Sequence, residues 1–111
     1  EDPDLCVGVL HQNGNWNNSE EMANELIAAF SQSVDDYQIY HSQTTITADG
    51  FDAYWVGATY TQGAQPFESS HLFVLVQHVG FEIMGYGSTD KMETYQPVIK
   101  SIMESFLLGY N

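Results

Sequence analysis

The stretch from Tyr37 to Tyr86 narrows the possible folds most, because strand-type runs follow one another there with only short turn signals between them. Tyr37 to Thr47 is rich in Tyr, Ile and Thr, side chains that suit a pleated, half-buried surface. Ala48-Asp49-Gly50-Phe51 comes next, and Asp-Gly is the strongest short-range hairpin signal, so residues 52–62 read as the return strand. Tyr54, Val56, Ala58 and Tyr60 fall on one face of that strand, and Ala53, Trp55 and Gly57 on the other. Gly63 to Ser70, around Pro66, reads as a loop. His71 to Val79 reads as a strand apolar on both faces, linked through Gly80 to a partner at Phe81–Tyr86. A parallel crossover needs a dozen or more residues, so connections this short dictate an antiparallel meander.

Helical periodicity flanks the meander. After a strand at residues 5–11 and a polar loop holding Trp16, Asn18 is a good N-cap, and Glu21 three residues on completes a capping-box pattern. Met22, Leu26 and Phe30 recur at four-residue steps with Ala23 and Ile27 beside them, which makes residues 19–32 a helix with one apolar face. At the far end Thr89 or Asp90 caps a short helical turn through Lys91–Thr94. Pro97 then suits the first turn of a helix or a kink, not a helix interior. Val98, Ile99, Ile102, Met103, Phe106 and Leu107 form a second apolar stripe, closed by Gly109. Residues 1–111 are therefore expected to form a single α+β domain: an antiparallel sheet of about five strands packed with two helices, in the order β-α-β-β-β-β-α.

Charge removes several functions. Fifteen Asp and Glu stand against two Lys and no Arg, for a net charge of −13. Binding nucleic acid means replacing phosphate counterions with protein cations, and Lys91 and Lys100 cannot do that. Docking on anionic lipid fails for the same reason. The longest apolar run, Leu72 to Val76, is far short of the roughly 20 residues of a membrane helix. Glu1, Asp2 and Asp4 stand where a signal peptide would carry basic residues. The abundance of Gln, Asn, Ser, Thr and Tyr points to an exported protein, with any leader or anchor outside this sequence. The single cysteine, Cys6, cannot form an internal disulfide, and it lies in an apolar run that reads as a buried thiol.

No Walker loop, GxSxG elbow, HExxH, CxxC or DxDxDG calcium loop is present, and no motif calls for a cofactor. The histidines are His11, His41, His71 and His78. His78 and Glu82 flank the Val79-Gly80-Phe81 turn and are the strongest metal-ligating or acid–base pair; an exposed ion pair is the plainer reading. His41 could approach Asp52 or Tyr54 across the first hairpin. Zinc wants three or four converging ligands, and the sequence assembles two. Trp16, Tyr37, Tyr40, Tyr54, Tyr60, Phe67 and Tyr86 exceed what a two-helix core must hold. Core filling accounts for most of them, and a recognition patch for the remainder.

Two segments carry a resemblance. The strand entry Asp49-Gly50-Phe51-Asp52-Ala53-Tyr54-Trp55 and the helix close Ile102-x-x-Ser105-Phe106, set in this element order, resemble the PsbP-like and DcrB-like domains over nearly the whole chain. That resemblance implies an α-β-α sandwich on an antiparallel sheet. It also implies kinship with proteins that assist photosystem assembly or sit as lipoproteins in the bacterial envelope. The family shares no catalytic residues, so none are carried over, and its N-terminal hairpin with a Pro-x-x-Trp-type segment has no counterpart before Glu1. The functional expectation is a non-enzymatic, extracytoplasmic binding or scaffold domain that uses aromatic and acidic surface to engage a protein partner or a metal ion. Self-association through the aromatic faces is a further expectation. The alternative is a small enzyme with its site near His78 and Glu82.

Overall fold

A computed structural model describes residues 5–47, 50–76 and 79–108, and their side chains except those of 5–7, 9–13 and 102–108. The chain runs β1 (Leu5–Asn13), α1 (Ser19–Ser31), β2 (Asp35–Ile46), β3 (Asp52–Gln62), β4 (Gln65–Val76), β5 (Val79–Ser88) and α2 (Thr89–Leu108). The sheet order is β1-β5-β4-β3-β2, with every neighbouring pair antiparallel. The expected α+β class, five strands, two helices and meander are all present.

The two helices cover opposite faces. Register fixes which residues each one meets: Val56 pairs with His71, and Tyr54 pairs with Phe73, which pairs in turn with Glu82. Those positions share the α1 face, where Trp16, Met22, Ala23 and Ile27 pack on Val56, Phe73 and Leu75. The alternate positions Ala53, Leu72, Val74 and Ile83 meet Met92 and Ile99 of α2 on the other face. Complete burial of residues such as Phe73, Met22, Leu72 and Ile83 stabilises the fold by about 1.5–3 kcal/mol each. Gly85 lets α2 settle onto the sheet, since a Cβ there would lie 3.1 Å from Ile99 Cγ2.

The start of α1 follows its sequence signals. Asn18 Oδ1 accepts from the Glu21 N–H at 2.8 Å, while Glu21 reaches one residue further back than a capping box does and accepts from the Asn17 N–H at 3.1 Å. The Asp52 carboxylate, from the first residue of β3, accepts from the Ser19 N–H and ties the helix start to the sheet. A carboxylate at this end also complements the helix dipole.

Three expectations are corrected. Residues 65–70 belong to β4 and not to a loop: Gly63 and Ala64, at φ 61° and 68°, form a two-residue hairpin turn, and Gln62 pairs directly with Gln65. Pro66 is tolerated because it is the second residue of the strand, at the rim of the sheet. Residues 89–108 are one helix with Pro97 inside it. Pro97 is exposed while Met92 and Ile99 are fully buried, so the carbonyl that Pro97 leaves without an N–H partner belongs to the exposed Glu93 and meets water. Val98, expected in the apolar stripe, is 54% exposed, and Met92 fills the core in its place.

Candidate functional site

Each face of the sheet carries a polar cluster. Under α1, alternate β4 residues and one β5 residue form a chain of hydrogen bonds: the Ser69 hydroxyl lies 3.0 Å from His71 Nε2, and His71 Nδ1 lies 2.8 Å from Glu82 Oε2. A neutral imidazole that donates from Nδ1–H to the carboxylate and accepts the Ser69 hydroxyl proton at Nε2 satisfies all three groups. Phe30 of α1 packs edge-on against His71, Tyr37 and Tyr60, and Phe73 stacks on the imidazole. Burial, then the nearby charge of Glu82 and then Tyr60, push the Tyr37 phenol up to about 12. Burial, followed by Tyr86, does the same to Tyr60, also to about 12. The connectivity is that of a serine–histidine–carboxylate triad, but Ser69 is 0% exposed and His71 1%, so a substrate carbonyl has no approach to the hydroxyl in this conformation.

The face under α2 is open. A cleft of about 450 Å³ lies between α2 and the β2–β3 edge, lined by Tyr40, His41, Gln43, Thr45, Trp55, Gly57, Ser70, Gln96 and Lys100. Its geometry follows from a β-bulge: Ile39 pairs with Ala58 but His41 pairs with Gly57, so one extra β2 residue turns Tyr40 and His41 toward the same cleft. Gly57 makes room for the tyrosine ring, since a Cβ there would lie 2.9 Å from Tyr40 Cζ. The Tyr40 hydroxyl donates to Glu68 Oε2 at 2.6 Å, and its pKa is raised by burial first and then by that hydrogen bond. On α2, Gln96 and Lys100 are one turn apart and border the same space. Gln96 Oε1 is buried with no hydrogen-bond partner among the described residues. Among the described residues no acid lines the cleft, although the chain holds fifteen acids and two lysines.

Among the described residues, those singled out in sequence do not gather. His78 lies outside the described residues, as do the Cys6 and His11 side chains. Glu82, expected to be exposed, is 7% exposed and holds His71. His41 faces the α2 cleft opposite Gly57, whereas Asp52 caps α1 on the other face, so these two do not meet. Among the described residues no three metal-ligating side chains cluster. Of the aromatics, Trp16 and Tyr60 are buried, with Trp16 Nε1 donating to Glu25 Oε1 at 3.1 Å, while Tyr40 is 54% exposed. The acids Glu20, Glu21, Glu25, Asp35, Asp36, Asp90 and Glu93 form an exposed anionic skin. Sequence reasoning missed the Gln96–Lys100 pair because it divided the second helix at Pro97. The four-residue spacing was the available signal.

No family model matches the chain, and no curated protein is similar to it in sequence. Solved structures share its fold. PA94 of Pseudomonas aeruginosa, a protein of unknown function, superposes at a TM-score of 0.69 over 97% of this chain and 86% of its own, with 6% identity. Cyanobacterial PsbP (CyanoP) of Synechocystis sp. PCC 6803 gives 0.66 over 94% of this chain and 67% of that one, with 10% identity. LpqN of Mycobacterium tuberculosis, involved in cell envelope biogenesis, gives 0.67 over 93% and 63%, with 12% identity. Of the two names in the expected resemblance, PsbP is the one that a neighbour carries: the chain has a PsbP-like fold.

Proposed function

We propose that this chain is a non-enzymatic, extracytoplasmic binding domain whose ligand enters the cleft between α2 and the β2–β3 edge. One observation carries the reading: an open cleft brings together the Lys100 cation, the Thr45 and Ser70 hydroxyls and the Tyr40 and Trp55 rings. Binding sites combine apolar surface with a few convergent polar groups, as this cleft does. Ser69, His71 and Glu82 of the opposite face are already committed to one another and are covered by α1. No helix among the described residues is long and apolar enough to cross a membrane, and the fold neighbour LpqN takes part in building a cell envelope, which supports a place outside the cytoplasm.

The two tryptophans provide the test, because Trp16 lies in the α1 core and Trp55 in the cleft. In a Trp16→Phe protein the remaining indole reports on the cleft; in Trp55→Phe it reports on the core. Screening small polar fragments should change the emission of the first protein and leave that of the second unchanged. Fragments that shift only the Trp16 signal would place binding elsewhere and defeat the reading. Recovery of the tagged full-length protein in the cytoplasmic fraction would defeat the localisation.

A further inference from the structure

We infer that the outer edge of β2, from His41 to Ile46, takes an extended cationic segment of a partner protein as an added strand. This edge site goes beyond the cleft reading and stands without it. β2 is the last strand of the sheet, and among the described residues no strand lies outside it. Its pairing with β3 is unbroken from His41–Gly57 to Ile46–Asp52, and the bulge at Tyr40 closes the run. Alternate residues of an edge strand point their N–H and C=O groups away from the sheet, where they can pair with another chain. Proteins blunt such edges with lysine, proline or an inward-pointing charge, and His41-Ser42-Gln43-Thr44-Thr45-Ile46 has none of these. Only Thr45 is half-buried; the other residues of the run are exposed, Ile46 to 63%.

Charge selects the occupant. A residue opposite Ser42, Thr44 or Ile46 lies on the α1 face, since these pair with Val56, Tyr54 and Asp52 of β3. That side is anionic at the Ile46 end: the Asp52 carboxylate holds the Ser19 N–H, and the exposed Glu20 and Glu21 follow in the first turn of α1. A residue opposite His41, Gln43 or Thr45 lies on the other face, beside the cleft that Lys100 lines. The fitting segment therefore carries Lys or Arg toward α1 and uncharged side chains toward the cleft. Complementary charge of this kind steers encounter and fixes register, while the strand hydrogen bonds supply affinity. A second copy fits poorly, because it brings −13 against −13 and its β2 holds Asp35 and Asp36 but no Lys or Arg.

The test is amide hydrogen exchange of the full-length protein, followed residue by residue, with three short blocked peptides as probes. The first alternates lysine and valine, the second has glutamate for lysine, and the third is the lysine peptide with every backbone nitrogen methylated. The lysine peptide should slow exchange at alternate amides between His41 and Ile46. At about nine times its Kd the slowing should be about tenfold, because only the unliganded strand exchanges. The glutamate peptide should have no effect, and neither should the methylated one, which has lost the donors that pair with β2. Thr44→Lys adds a cation at an exposed position; it should weaken the lysine peptide about fivefold and let the glutamate peptide bind. Equal slowing by the lysine and glutamate peptides overturns a cationic partner, and equal slowing by the methylated peptide overturns strand addition. Slowing that grows with protein concentration and needs no peptide makes a second copy the occupant and overturns the partner protein. If no peptide slows these amides, the edge site falls while the cleft reading, tested at Trp55, is untouched.

Discussion

The two faces of the sheet are covered to different degrees. Beneath α1, Ser69, His71 and Glu82 satisfy one another and are sealed by Phe30 and Phe73. Beneath α2, Gln96 Oε1 is buried without a partner among the described residues, and Lys100 is exposed at the rim of an open cleft. The same five strands serve both faces, so the difference lies in what covers them. α1 lays Met22, Ala23, Ile27 and Phe30 over its face, whereas α2 covers the β4–β5 side and leaves the β2–β3 edge bare. A closed network specifies structure; an open cleft is available to a ligand.

The sharpest way to break this contrast is His71→Ala. It strands a buried carboxylate, and chemical denaturation should register a loss of about 3–5 kcal/mol. Pairing it with Glu82→Leu should recover a large part of that loss, because the double variant leaves no orphaned charge. A loss below about 1 kcal/mol for His71→Ala would mean that the network is not structural.

Alkaline titration is the next test. The folded state holds Tyr37 and Tyr60 up near 12, against 10 for a free phenol, so the unfolded chain releases these protons first. Stability is fully present below pH 10 and is lost as pH rises from 10 toward 12. Tyr37→Phe should flatten that fall. At neutral pH it should be neutral or slightly stabilising, because the Tyr37 hydroxyl is buried with no partner among the described residues.

Substitutions in the cleft should cost the fold far less. Gly57→Ala pushes a Cβ into the Tyr40 ring and breaks the exposed Tyr40–Glu68 hydrogen bond, for about 1 kcal/mol in the same denaturation assay, while reshaping the cleft. Gln96→Leu should leave stability within about 0.5 kcal/mol or raise it, since it removes an unpaired acceptor. A loss above 2 kcal/mol there would give Gln96 a structural role and erase the contrast between the faces.

The architecture was legible because its signals are local. Asn18 caps α1 as its sequence position implies, residues 52–62 form a strand with those same bounds, and Gly50 takes the positive φ of 88° that a glycine in the turn permits. The site was not legible, because it depends on register. Placing the last hairpin turn at Gly80 matched Glu82 with His78. Val76 pairs with Val79, and Glu82 lies opposite Phe73 and diagonal to His71. A shift of two or three residues in one turn thus moved the buried network out of sight. Pro97 hid the cleft in a similar way, since a solvent-facing proline in an otherwise continuous helix looks like a helix boundary. The bulge at Tyr40 has no sequence signature of its own, and only the pairing of β2 with β3 reveals it.

The most direct test of the division between the faces is a residue-by-residue NMR shift map of the full chain exposed to a mixture of small polar fragments. Shifts should concentrate at His41, Gln43, Thr45, Gln96 and Lys100 and at the Trp55 indole N–H, with Phe30, His71, Glu82 and the Trp16 indole N–H unmoved. Shifts concentrated instead at Phe30, Tyr37, His71 and Glu82, with the cleft silent, would show that α1 opens to expose the buried triad and that the face read here as structural is the working one.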